Sequence, residues 1–144
     1  MYIKVYLGGD FNAGFTRLRN ETKEMLDEFR AYAKVEFDYE FVNIYDQKDE
    51  NTVKELQRQL YQKGIDPVEM RSKSEKGQSV QVLFPGAVVY LRDKEGIWQI
   101  YDRPQGIEEG VSLNNSIQNL EYSLANCIRK LRSEERRVGK ECRL

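Results

Sequence analysis

The run Ala87-Val88-Val89-Tyr90-Leu91 has no charged or hydrogen-bonding position at strand period except the tyrosine hydroxyl. A strand shows alternate residues to opposite faces, so this one exposes apolar groups on both and must be covered on both. That requirement predicts a central strand between two layers. "YIKVYL" (Tyr2 to Leu7) makes the same demand more weakly, with Ile3, Val5 and Leu7 on one face and Tyr2, Lys4 and Tyr6 on the other.

The covering layers are legible as helical periods. From Ala13 to about Ala33, Phe15, Leu18, Thr22, Met25, Phe29 and Ala33 recur in steps of three and four, one apolar stripe of a helix. Asn51 or Thr52 can cap a second helix running to Gly64, with Val53, Leu56 and Leu60 inward; Gly64 and Pro67 terminate it. Leu113, Ile117, Leu120, Leu124, Cys127 or Ile128, and Leu131 predict a last helix. Between them "VEFDYEF" alternates, with Val35, Phe37, Tyr39 and Phe41 inward and Glu36, Asp38 and Glu40 outward, as a strand near a sheet edge would. Residues 68–84 read as two extended pieces around Lys76-Gly77, and "RDKEG" as the turn joining "PGAVVYL" to an antiparallel "IWQIY".

The order is β-α-β-α-β-β-α with an extra hairpin before the third core strand. It predicts an α/β chain, a thioredoxin-like three-layer sandwich with a mixed sheet, assuming a right-handed first crossover. Pro85 stands where thioredoxin-like folds carry a functional proline. A split sandwich of other topology remains open, since order does not fix adjacency. With 144 residues, 40% of them hydrophobic, the chain suits one domain with one sizeable core.

Composition then narrows the chemistry. There is no histidine, which removes the commonest general base and metal ligand together. Cys127 and Cys142 are too few and too far apart for a thiolate zinc site or redox pair. Net charge is −1 with no basic cluster outside the tail, so no nucleic-acid partner is expected. No apolar run approaches a membrane span, and Met1 leads straight into a strand-like segment rather than a leader.

The tail "RSEERRVGKECRL" has no apolar periodicity, and one reading is a charged, frayed helix end. The other is sharper. Arg132 to Arg143 resembles the conceptual translation of a sequencing-library adapter, twelve codons in register. Residues 1–131 are therefore expected to form the domain, and 132–144 to be non-native. The tail holds five basic and three acidic residues; without it the chain's 23 basic and 24 acidic residues become 18 and 21, net −3.

The turn "GGDFNAG" lies between a strand and a helix, where α/β proteins place phosphate cradles and redox thiols. Gly8, Gly9 and Gly14 match neither dinucleotide nor P-loop spacing, Asp10 would repel a phosphate, and there is no thiol. Asp10 or Asn12 capping the helix is the favoured reading. A secondary one makes Gly8, Gly9, Asp10, Phe11, Asn12 and Gly14 a contact surface, their amides meeting a carboxylate, a sugar or a partner loop. No catalytic residue, cofactor or metal ligand is expected. Glu36, Asp38 and Glu40 lie about 7 Å apart at strand spacing and read as a solvated edge. "DQKDEN" (Asp46 to Asn51) lacks calcium-loop ligand positions and reads as a loop and cap. Cys127 reads as a small core residue. Trp98 and Tyr101 read as core rather than as a docking patch, and the glycosylation triplets at Asn20 and Asn114 fall in helical segments.

Two segments carry a family resemblance: "IKVYLGGDFNAGFTRLRNETKEMLDEFRAYA" and "FPGAVVY" with "LNNSIQNLEYSLANCIRKL". They resemble the gliding-motility-associated ABC-transporter auxiliary protein, the GldG family, over Ile3 to Leu131. Asn12 departs from the proline expected there, which equally suits a helix start. The resemblance implies a non-enzymatic domain facing the periplasm, held by membrane anchors outside this chain, with Met1 as an internal start. It implies ABC-transporter permease and ATPase subunits as partners. The alternative expectation is a small-ligand domain binding carbohydrate or an anion at the Gly8–Gly14 turn.

Overall fold

Alternate residues of the apolar run enter two separate cores: Ala87 and Val89 one, Val88 the other, all three fully buried. The computed structural model describes residues 1–9, 11–33, 36–46, 49–74, 77–102 and 106–141. The run lies in β5 (Gly86–Leu91), which pairs antiparallel with β1 (Tyr2–Val5) on one side and β6 (Lys94–Gln99) on the other. β2 (Asp38–Phe41) pairs parallel with β1, giving the sheet order β2-β1-β5-β6. β3 (Val68–Ser74) and β4 (Gly77–Leu83) form a separate hairpin, with Val68 opposite Leu83 and Ser74 opposite Gly77. Among the described residues the chain is thus a mixed α/β structure with a four-stranded mixed sheet, a separate hairpin and four helices.

The helices are α1 (Ala13–Tyr32), α2 (Glu50–Lys63), α3 (Glu109–Gln118) and α4 (Leu120–Glu141). The larger core joins Ile3, Val5 and Trp98 of the sheet to Phe15, Leu18 and Leu26 of α1, Leu113 of α3 and Leu124 of α4. The smaller joins Val88 to Leu60 of α2, Ile65, Phe84 and Ile44, the last in a 3-10 turn. β2 takes the edge position its polar face predicts, with Asp38 and Glu40 exposed. Phe37 is buried just before it, while Val35 lies outside the described residues. Trp98 and Tyr101 are core, at 1% and 4% exposure. The Phe84–Pro85 bond is trans.

Several local expectations are corrected. The stripe of α1 continues from Leu18 through Thr22 to Leu26, which is fully buried, whereas Phe29 is 38% exposed. Steps of four keep these residues over the sheet, and Met25 and Phe29 turn toward α4. Thr22 tolerates full burial because its Oγ1 donates to the Leu18 carbonyl at 2.7 Å. The cap of α2 is Asp49, whose carboxylate accepts from the Asn51 amide, rather than Asn51 or Thr52. Gly64 does end that helix, with φ of +104°.

The final helix is two. Asn119 (φ −98°, ψ 4°) breaks it, so that α3 packs on α1 and α4 packs on β6. A periodic stripe does not reveal such a break, because both halves keep their apolar side inward. The turn after β5 is also shorter than expected: Arg92 (φ 56°) and Asp93 make it, and Gly96 falls inside β6 opposite Val89. A methyl on Gly96 would lie 2.9 Å from the Leu131 side chain, so glycine there admits α4 onto the strand. Helix α4 runs on to Glu141, through most of the segment read as a tail.

Candidate functional site

The Gly8–Gly14 turn leaves the end of β1 and is held by its neighbours at almost every step. The Gly8 amide donates to the Val42 carbonyl at 3.0 Å. A Cβ at Gly8 would fall 2.6 Å from the Val42 carbonyl carbon and 2.7 Å from the Asn43 nitrogen, so only glycine fits. Gly9 has φ of +121°, the left-handed side open to glycine, and its carbonyl accepts from Arg19 Nη1 at 2.8 Å. The same guanidinium stands 5.8 Å from the centroid of the Phe11 ring. Asp10 lies outside the described residues.

Asn12 is the cap of α1. Its Oδ1 accepts from the Phe15 amide at 3.0 Å, and its carbonyl accepts from the Thr16 amide at 2.9 Å. Its Nδ2 donates to the Arg71 carbonyl at 3.2 Å, and its backbone amide approaches Met70 Sδ at 3.3 Å. One side chain therefore starts the helix and ties it to the hairpin. Thr16 Oγ1 donates to the Phe11 carbonyl, closing the turn from the helix side. At Gly14 an added Cβ would lie 2.6 Å from Leu113 Cδ1, so α1 and α3 meet closely there.

The amides of Gly8, Asn12, Phe15 and Thr16 thus all have protein partners. A phosphate or carboxylate cradle works by offering such groups to a ligand. The structure brings Gly8, Gly9, Phe11, Asn12 and Gly14 together as a joint between β1, β2, α1, α3 and the hairpin.

Elsewhere, no group of three His, Cys, Asp or Glu among the described residues is arranged to hold a metal. Cys127 is buried, its thiol 3.5 Å from the Ile97 carbonyl, and burial pushes its pKa up against the smaller pull of Lys130. A thiol so placed is a poor nucleophile. At the sheet edge Tyr39 donates to Asp27; burial first, then this bond, raises the phenol to about 12, and the bond holds the carboxylate below its usual range. A polar cleft of about 610 Å³ lies between the base of β3 and α3, lined by Asp66, Glu69, Arg71, Asp102 and Glu109.

One surface feature escaped the sequence reading. Met25, Phe29 and Tyr32 of α1 and Leu124, Ala125 and Ile128 of α4 line an open, mainly apolar groove of about 480 Å³. The helical periods place Met25 and Phe29, and Ile128 as the alternative to Cys127, on the predicted apolar stripes. The signal was present as a second row on each helix, but only the packing of α1 beside α4 separates it from the core rows.

Residues 1–90 match a family described as "Domain of unknown function (DUF7088)". No curated protein and no solved structure matches the chain. Among the described residues no helix is long and apolar enough to cross a membrane.

Proposed function

This chain belongs to the DUF7088 domain family, and from that premise we propose a non-enzymatic, extracytoplasmic domain of an ABC-transporter auxiliary subunit. The subunit is of the gliding-motility-associated GldG type, and the domain acts by protein or ligand contacts at the periplasmic side of a transporter with separate permease and ATPase subunits. The observation that carries this reading is that the two segments bearing the resemblance pack into one unit. Gly14 of the first meets Leu113 at the head of the second so closely that an added Cβ would lie 2.6 Å from Leu113 Cδ1. Phe15 of the first also meets Tyr101, which lies between the two parts of the second, edge-on at 5.2 Å between centroids.

The fold assigned under this proposal is thioredoxin-like. The order β2-β1-β5-β6, with α1, α3 and α4 over one face and α2 over the other, supports it. The loop where such folds carry thiols is here a glycine turn without cysteine, and its polar groups hold the turn to its neighbours. That favours a scaffold over a redox enzyme. The carbohydrate or anion reading of the turn draws less support, because four nearby amides are already paired.

The test is co-reconstitution of the full-length subunit with its cognate permease in liposomes, with photo-crosslinkers placed across this domain. Crosslinks to the permease that vanish with a non-cognate permease are expected. Absence of any domain–permease crosslink, with the subunit correctly inserted, overturns the proposal.

A further inference from the structure

We propose that the groove between α1 and α4 is a docking site for an amphipathic helix of another protein, one whose apolar stripe is flanked by Lys or Arg. The inference stands on the groove itself and does not depend on the transporter reading.

The floor is apolar and partly open. Met25 and Ile128 are half-buried, Phe29 is 38% exposed and Tyr32 is 86% exposed. Two helices side by side leave a channel that a third fills at the usual separation of about 8–10 Å, with side chains three and four apart entering it. The rim is acidic: Glu28 stands on the α1 side and Glu121 on the α4 side, both exposed. Among the described residues neither has an ion-pair partner. The two cations of α1 nearest Glu28 in sequence are engaged elsewhere, Lys23 with Asp27 at 3.2 Å and Arg30 with Asp38 at 3.5 Å. Arg132, one turn beyond Ile128, lies outside the lining.

Charge then chooses among occupants. A two-fold contact burying this groove in two copies would bring together four carboxylates with no cation in the lining of either copy, which disfavours self-association. An anionic membrane surface is repelled by the same rim. A basic amphipathic helix satisfies both floor and rim.

The experiment uses the isotope-labelled full chain and a Leu/Lys amphipathic peptide of about 18 residues, beside a counterpart with every Lys replaced by Glu. Amide shifts are expected at Met25, Phe29, Tyr32, Leu124, Ala125 and Ile128 with the Lys peptide only, weakening as salt rises. The double variant Glu28→Gln, Glu121→Gln, on exposed positions that leave the fold alone, is expected to weaken binding about five- to tenfold. Ala125→Arg is expected to abolish it. The proposal is overturned if both peptides bind alike, if shifts map to another face, or if neither binds. It is also overturned if the chain dimerises through this face in a manner broken by Ala125→Arg. Docking of the face on vesicles of phosphatidylglycerol and phosphatidylcholine, without peptide binding, overturns it in favour of a membrane.

Discussion

Replacing Gly8 by alanine tests whether the turn is a packed joint. The added methyl would sit 2.6, 2.7 and 2.8 Å from the Val42 carbonyl carbon, the Asn43 nitrogen and the Val42 oxygen. All three are backbone atoms, and Val42 is tied to the same chain segment a second time by its amide donating to the Val5 carbonyl at 2.8 Å. No side-chain rotation relieves the clash, so the loop must move and the Gly8–Val42 hydrogen bond must lengthen. Overpacking of this kind costs about 1–3 kcal/mol, and the lost bond about 1 kcal/mol. Against this, alanine lowers the entropy of the unfolded chain, returning about 0.5–1 kcal/mol. The net expectation is a loss of about 1–3.5 kcal/mol and a Tm lower by about 3–12 °C. Gly110→Ala is the control, since nothing lies within 4 Å of its added methyl and it sits in the first turn of α3. It should be stabilising by about 0.5–1 kcal/mol. Urea unfolding followed by circular dichroism reads both. If Gly8→Ala lies within about 0.5 kcal/mol of the wild type, the turn is not held as described, and an open, ligand-ready turn becomes the better account.

Gly14→Ala should cost less, about 1 kcal/mol, because the atom it meets is the rotatable end of Leu113. In a Leu113→Ala background the same change should become neutral or stabilising, and equal costs in both backgrounds would refute the contact. Tyr39 should ionise near pH 12 in an ultraviolet titration, and Asp27→Asn should lower that value without restoring the ordinary one, since burial is the larger cause. Its folded pKa is raised, so its stabilising contribution is full below about pH 10 and is lost as pH rises through about 12; Asp27, shifted down, contributes above its unfolded pKa and loses this as pH falls. A Tyr39 that titrates with the exposed tyrosines contradicts the pairing. Truncation after Ser133 should shift Tm by less than about 2 °C, because Leu131 is the last core residue of α4 in the described structure, and a fall above about 5 °C would show that the tail belongs to the fold.

The candidate turn was readable as a turn and helix start, and Asn12 as one of two possible caps, because Asn and Asp at such a position have only a few backbone groups within reach. What those side chains do beyond the cap was not readable. The bond from Asn12 Nδ2 to Arg71 joins residues 59 apart in sequence, and the reason for Gly8 lies in Val42 and Asn43. Equally, Asp49 rather than Asn51 or Thr52 caps α2, since polar residues within one stretch of four are equivalent until the helix docks.

From the residues alone came the alternation and periods of the elements, the doubly apolar central strand, the polar edge strand, the inserted hairpin and the glycine that ends α2. These depend on side-chain spacing and backbone preference within a few residues, which are local properties. Only the tertiary structure decided that β1 lies between β2 and β5, that Leu26 rather than Phe29 is buried, that the last helix breaks at Asn119, and that α1 and α4 leave an acidic-rimmed groove. Each of those depends on which distant surfaces meet, and burial is a property of the pair of surfaces rather than of either segment.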